Sequence, residues 1–180
     1  IRAGFTVVNV NPLYTARELE HQLRDSGAEA IVILENFAAT LEEVIEHTPI
    51  RHVVVASMGD MLGFWYGRWI TFAVRHLARM VPAFRLPLSG PQGSIDVHSF
   101  KRVLQQGTSL GLKRSQVNHD TLAFLQYTGG TTGLSKGAML THRNIIAATL
   151  QAESWFSPAL HRIGDVRKAN NIAALPLYHI

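Results

Sequence analysis

Four glycines, three threonines, a serine and a lysine fall within eleven consecutive residues, Tyr127-Thr128-Gly129-Gly130-Thr131-Thr132-Gly133-Leu134-Ser135-Lys136-Gly137, with Ala138 closing the run. These residue types bind phosphate. Gly129, Gly130 and Gly133 let the backbone turn so that several N–H groups converge on one anion. Thr128, Thr131 and Thr132 add hydroxyl donors, and Lys136 adds a movable point charge. The spacing excludes two common phosphate loops. A Walker-type loop ends in Gly-Lys-Ser/Thr, whereas here Ser135 precedes the lysine and Gly137 follows it. The dinucleotide fingerprint G-x-G-x-x-G fails because the glycines stand at 129, 130, 133 and 137.

The elements around this stretch must hold it. Leu122 to Gln126 reads as a strand, and Ala138-Met139-Leu140 is a short apolar run, so the loop is expected to link two strands. Thr141 is the expected cap of a helix running to about Phe156, whose start would help Lys136 oppose polyphosphate charge; His142 reads as a polar neighbour of that cap. Upstream, Phe5 to Val10 is strand-like, and Asn11-Pro12 forms a turn. Thr15 with Glu18 forms a capping box for a helix that buries Leu19 and Leu23 and stops at Gly27. Ala30 to Leu34 is a continuous apolar run of the kind found in sheets covered on both sides. A helix at about 37–47 and a second run at His52 to Ala56 follow. Strand, helix, strand in that order predicts a βαβ unit, hence an α/β fold of layered sheets with flanking helices.

Residues 61–84, if helical, place Arg68, Arg75 and Arg79 on one stripe, with Trp69, Ile70, Ala73, Val74, Leu77 and Val81 across from it. Two readings stand: a basic amphipathic helix at an anionic membrane surface, or a helix packed on its own domain with solvated arginines, the commoner arrangement. Residues 85–120 are expected to be a loop-rich connection, with a short helix capped by Asp96 or Ser99 running through Gln106. Ile172 to Leu175 reads as a buried strand ending at Pro176-Leu177-Tyr178-His179, where His179 alone is as consistent with a structural role as with a functional one.

Composition bounds the function. The chain has no cysteine, which excludes a disulfide scaffold, a thiolate metal site and a cysteine nucleophile. A net charge of +4 favours small anionic partners or a membrane surface and is too modest to argue for nucleic acid. Ile1-Arg2-Ala3-Gly4 reads like the tail of a helix, and Ala173 to Ile180 stops just past an apolar run. The expectation is therefore a fragment cut at both ends.

Residues 127–137 closely resemble the phosphate loop of the acyl-adenylate-forming superfamily, Tyr/Phe-Thr-Ser/Gly-Gly-Thr-Thr-Gly, two variable residues, then Lys-Gly. Pro176 to His179 is similar to that family's second motif, and Asn11 to Leu19 looks like a segment of bacterial long-chain fatty-acid:CoA ligases. The resemblance implies that residues 1–180 are part of one large N-terminal AMP-binding domain of such a ligase. It further implies that the parent uses ATP and Mg2+ to form an acyl-adenylate, then passes the acyl group of a long-chain fatty acid to CoA. Thr131, Lys136 and His179 would be catalytic, His179 lining the acyl pocket. The nucleotide would be held by Tyr127, Thr128, Gly129, Gly130, Thr131, Thr132, Gly133, Leu134, Ser135, Lys136, Gly137 and Ala138. No metal ligand is assigned in this stretch. Gly129 stands where many members have Ser, and Ser135 where Pro often precedes the lysine. The implied location is cytoplasmic, peripheral on the inner face of the membrane, with oligomeric state open. The isolated fragment is expected to be inactive. The alternative from another class is a non-catalytic nucleotide- or lipid-binding module.

Overall fold

The computed structural model describes residues 1–91, 93–113, 115–128 and 135–163. In chain order the described elements are β1 (Val7–Val8), α1 (Ala16–Ser26), β2 (Ala30–Leu34), α2 (Ala38–Glu42), β3 (His52–Ala56), α3 (Phe64–Phe72), β4 (Ser89–Gly90), β5 (Gly93–Ser94), β6 (Asp96–Ser99), α4 (Phe100–Thr108), β7 (Leu122–Thr128), β8 (Lys136–Thr141) and α5 (His142–Ile163). They gather into two compact units. One is contiguous from Val10 to Leu112; the other joins Ile1–Asn9 to the chain from Lys113 onward. The architecture is the α/β arrangement expected.

In the contiguous unit, β2, β3 and β6 form a parallel sheet in that order, with Ala30 opposite His52 and His52 opposite Asp96. Parallel neighbours require a crossover, and α2 lies in the connection from β2 to β3. The core joins Leu19 and Leu23 of α1 to Leu41 of α2, Ile31 of β2, Val53 of β3 and Ile95, with Val44, Ile45 and Ile50 filling between them. Ala30–Leu34 departs from the expected double cover: Ile31 is buried, but Val32, pointing the other way, is 66% exposed. Side chains alternate along a strand, so an all-apolar run does not reveal which face is covered.

The helix expected at 37–47 is broken into a 3-10 turn at Glu35–Phe37, α2, and a second 3-10 turn at Ile45–His47. Pro49 disfavours helical backbone at Thr48, which is extended (φ −119°, ψ 162°), and the Thr48 hydroxyl donates to the Ile45 carbonyl at 2.8 Å.

The capping box forms as read. Thr15 N–H donates to Glu18 Oε2 at 2.9 Å, the Thr15 hydroxyl donates to the same oxygen at 2.8 Å, and Gly27 closes α1 in the left-handed conformation. The Thr15 backbone N–H, and then its hydroxyl, hold the Glu18 carboxyl below its ordinary value. The sign follows. A depressed carboxyl contributes stability above the unfolded value near 4.5, and that contribution is lost as pH falls through the lower folded value. Thr15→Ala should cost about 1 kcal/mol in urea unfolding near neutral pH, and the difference from wild type should shrink as the acid limb is descended.

The 61–84 segment is a shorter and less regular helix than its periodicity implied. α3 ends at Phe72 and continues as a π-helical turn, Ala73–Leu77, in which Ala78 N–H donates to the Ala73 carbonyl at 2.8 Å. The widened turn breaks the arginine stripe. Arg75 donates from Nε to Glu35 Oε2 at 2.9 Å, while Arg79 lies past the helix with φ 51°. Gly67 is buried against the preceding loop, and a Cβ there would stand 2.2 Å from the Gly59 carbonyl oxygen. Alanine normally favours a helix over glycine by about 1 kcal/mol, yet backbone cannot yield as a side chain does. Gly67→Ala is therefore expected to lower stability by about 1–3 kcal/mol, read as a drop in thermal midpoint; an unchanged or raised midpoint would contradict the close approach.

Within residues 85–120 the expected short helix is α4, and of the two candidate caps it is Ser99 whose Oγ accepts from Arg102 N–H, at 3.4 Å; the hairpin β4–β5 and strand β6 are additional to the loop expected. β6 is too short to carry a pattern of its own and is defined by its pairing with β3.

In the other unit, β7 is the central strand. β1 lies parallel to it, Val7 opposite Phe124, and β8 antiparallel, from Leu122 opposite Thr141 to Thr128 opposite Lys136. The two strands expected on either side of the glycine-rich stretch are present and paired; residues 129–134 between them lie outside the described residues. The expected strand at 172–175 lies outside the described residues.

Candidate functional site

The β7–β8 register decides what the sequence left open. Thr128 and Lys136 are the last cross-strand pair before the connecting segment, and both are exposed. A hydroxyl-bearing and an ammonium-bearing residue are thus cross-strand neighbours at the strand ends that flank residues 129–134. One pair inward, Tyr127 is 5% exposed and opposite Gly137, where a Cβ would lie 3.0 Å from the tyrosine ring. The glycine after the lysine therefore leaves room for that ring to lie across β8, which fixes the strand end that presents Lys136. Ala138 is paired with Gln126, whose side-chain oxygen accepts from Asn9 Nδ2 at 3.2 Å, tying β1 to the same platform. Gly129, Gly130, Thr131, Thr132, Gly133, Leu134 and His179 lie outside the described residues; Ser135 is described at the entry to β8.

The start of α5 does not share this site. Thr141 is paired with Leu122, at the end of the hairpin opposite Thr128 and Lys136. Five strand residues at about 3.3 Å each separate Lys136 from Thr141 by roughly 16 Å, further than one triphosphate reaches. The first amides of α5 are also in use: His142 N–H donates to the Thr121 carbonyl at 3.0 Å and Arg143 N–H to the His119 carbonyl at 2.9 Å. Thr141 and Asn144 cap the helix reciprocally, Thr141 N–H donating to Asn144 Oδ1 at 2.9 Å and Asn144 N–H to Thr141 Oγ1 at 3.4 Å. Arg143 donates from Nη2 to Asp120 Oδ1 at 2.9 Å. This end anchors the helix to β7. The expected help from the helix dipole is corrected accordingly.

The residue types suit a polyphosphate: Thr128 and Lys136 are paired at the strand ends that flank a stretch whose sequence is rich in glycine and threonine. Comparison with protein families matches residues 1–180 to the family described as AMP-binding enzyme. The chain belongs to the AMP-binding enzyme family. This AMP-binding chain is 50% identical over 180 residues to a long-chain-fatty-acid–CoA ligase of Salmonella typhimurium, with all of the chain and 30% of that relative covered. A ligase of the same description from Escherichia coli O157:H7 is 49% identical over the same coverage, and one from Bacillus subtilis is 30% identical over 182 residues. The chain spans about 30% of the length of these curated relatives. Among solved structures, the A domain of a carboxylic acid reductase from Segniliparus rugosus, in complex with AMP and a co-purified carboxylic acid, superposes with TM-score 0.51 at 20% identity. It covers 79% of this chain and 21% of that one, a likeness of fold.

This member of the AMP-binding enzyme family holds a cleft within the Val10–Leu112 unit. The cleft, of about 630 Å³, is lined by Asp60, by Trp65, Arg68, Trp69 and Phe72 of α3, and by Lys101 of α4. Sequence reading placed the aromatic residues on one helix but did not bring Lys101 to them. No local signal joins residues more than thirty positions apart, and the β3–β6 pairing that carries α4 here is itself non-local. Lys101 Nζ lies 3.5 Å from Asp60 Oδ1, and Arg75 is held by Glu35. Among the described residues no helix is long and apolar enough to cross a membrane.

Proposed function

We propose that the protein to which this chain contributes is an ATP-dependent long-chain-fatty-acid–CoA ligase. The observation that carries the reading is identity of about half the residues, across the whole chain, to ligases of that description from Salmonella and Escherichia. The exposed Thr128–Lys136 pair supports it. A fatty carboxylate is a poor acyl donor. Its oxygen attacks the α-phosphorus of ATP, the bond to the bridging oxygen breaks, and pyrophosphate departs, leaving an acyl-adenylate. The CoA thiol then attacks the acyl carbonyl, loses its proton and displaces AMP.

This chain's residues serve the first step. Negative charge grows on the departing pyrophosphate, where Lys136, the hydroxyls of Thr128, Thr131 and Thr132, and the amides of the glycine-rich segment stabilise it. Tyr127, Gly137 and Ala138 hold the strand ends, Gly129, Gly130, Gly133, Leu134 and Ser135 complete the cradle, and His179 lines the acyl pocket. Mg2+, when bound with the nucleotide, neutralises phosphate charge. Residues 1–180 form part of one AMP-binding domain and are inactive alone. The protein works in the cytoplasm, peripheral to the inner membrane face where its substrate partitions. ATP–pyrophosphate exchange on the full-length protein tests the reading: exchange should require added long-chain fatty acid. Exchange that ignores fatty acid, or none at all, would reject it.

A further inference from the structure

Between Asp60 and Asp96 the sequence contains no acidic residue, yet it carries Arg68, Arg75, Arg79 and Arg85. The same stretch exposes an aromatic face. Trp65 is 79% and Trp69 64% exposed, and Phe64, Phe72 and Leu77 are exposed beside them. Arg75 is committed to Glu35, but Arg68 and Arg79 have no acidic partner among the described residues. Arg68 lies instead over the Phe64 ring, 5.6 Å from its centroid. Cations and indoles are interleaved rather than segregated, and α3 with its π-helical turn is too short to span a bilayer. A protein partner would more commonly meet an apolar centre ringed by charge. Interleaved tryptophan and arginine suit the headgroup layer, where the ring lies among glycerol and carbonyl groups and the guanidinium meets phosphate.

We propose that the exposed face of α3 and the turn that follows it seats on an anionic phospholipid bilayer. Trp65, Trp69 and Phe72 enter the headgroup region, and Arg68 and Arg79 pair with lipid phosphates. The proposal gives a surface to the peripheral placement above and does not depend on turnover.

The test is co-sedimentation of the full-length protein with vesicles of phosphatidylcholine alone and of equimolar phosphatidylcholine and phosphatidylglycerol. The wild type should bind the anionic vesicles, bind the neutral ones far less, and be released by raised salt. Arg68→Gln with Arg79→Gln should lower the partition constant about thirtyfold, at about 1 kcal/mol per cation. Trp65→Ser with Trp69→Ser should also lower binding and diminish the blue shift of tryptophan emission on vesicle addition. All four side chains are exposed, so thermal midpoints should match wild type. Exchange with detergent-dispersed fatty acid should be unchanged in both variants, which separates failure of docking from failure of the ligase reading. Equal binding to both vesicle types, binding to neither, or wild-type binding by the arginine variant would overturn the proposal. Binding to neither is the outcome expected if another part of the chain or a protein partner covers the face.

Discussion

Lys136→Ala should reduce fatty-acid-dependent ATP–pyrophosphate exchange by about 10²–10³-fold, the usual effect of deleting one preorganised donor from the place where charge develops. The size of the effect rests on position. Lys136 closes the β7–β8 ladder opposite Thr128, so an exposed ammonium-bearing residue is fixed at the strand end that follows the glycine-rich stretch in sequence. Its charge matters more to the departing pyrophosphate than to bound ATP, because only in the transition state is charge accumulating on that leaving group. The loss should therefore fall mainly on kcat, with a smaller change in the KM for fatty acid. Lys136→Arg should recover only part of the rate, since a planar guanidinium does not reproduce a compact ammonium. The side chain is exposed, so the alanine variant should keep the wild-type thermal midpoint. A normal exchange rate in a folded variant would remove Lys136 from its assigned role.

Arg75→Ala should destabilise the protein by about 3 kcal/mol in denaturant unfolding, at the lower end of the range for breaking a buried ion pair. The Glu35 side chain is 3% exposed while that of Arg75 is 47% exposed, so solvent recovers part of the loss. Glu35 Oε2 takes both Arg75 Nε and Nη2, and Oε1 has no partner among the described residues. Removing the guanidinium leaves a carboxylate buried at the end of β2 with nothing to compensate it. The hydrogen bond to Glu35 raises the Arg75 pKa above its ordinary value. A raised base contributes its stability below the unfolded value, so the penalty should be constant across neutral pH. Replacing both partners, Glu35→Leu with Arg75→Leu, should cost much less than the single change. Equal losses in the single and double variants would show that the site depends on packing alone.

Several parts of the fold were legible because their signals are local. Thr15 and Glu18 stand three residues apart and fix the start of α1 by themselves, and the apolar runs at 30–34 and 52–56 became β2 and β3. The two strands flanking the glycine-rich stretch could likewise be read from the hydrophobicity on either side. What could not be read depends on distant partners. β6 is a strand because β3 lies beside it, and Arg75 turned from its stripe because Glu35, forty positions earlier, offered a buried carboxylate. The site shows the same division. Residue types announced an anion, but only the β7–β8 register placed Thr128 beside Lys136 and carried the start of α5 to the far end of the hairpin. Six of the residues assigned to the nucleotide, and His179, lie outside the described residues.

β1 pairs with β7 across a sequence separation of more than a hundred residues, as the Thr6 hydroxyl's 3.4 Å bond to the Leu122 carbonyl illustrates. During synthesis Ile1–Asn9 must therefore wait for their strand partner, whereas the described core cluster of Val10 to Leu112 lies within that unit. Closing so long a loop costs entropy, and folding of the intervening body reduces the length of flexible chain that must be closed. The order of assembly on the ribosome is thereby set by topology: the inserted body first, and the platform for the phosphate segment only once its central strand has emerged.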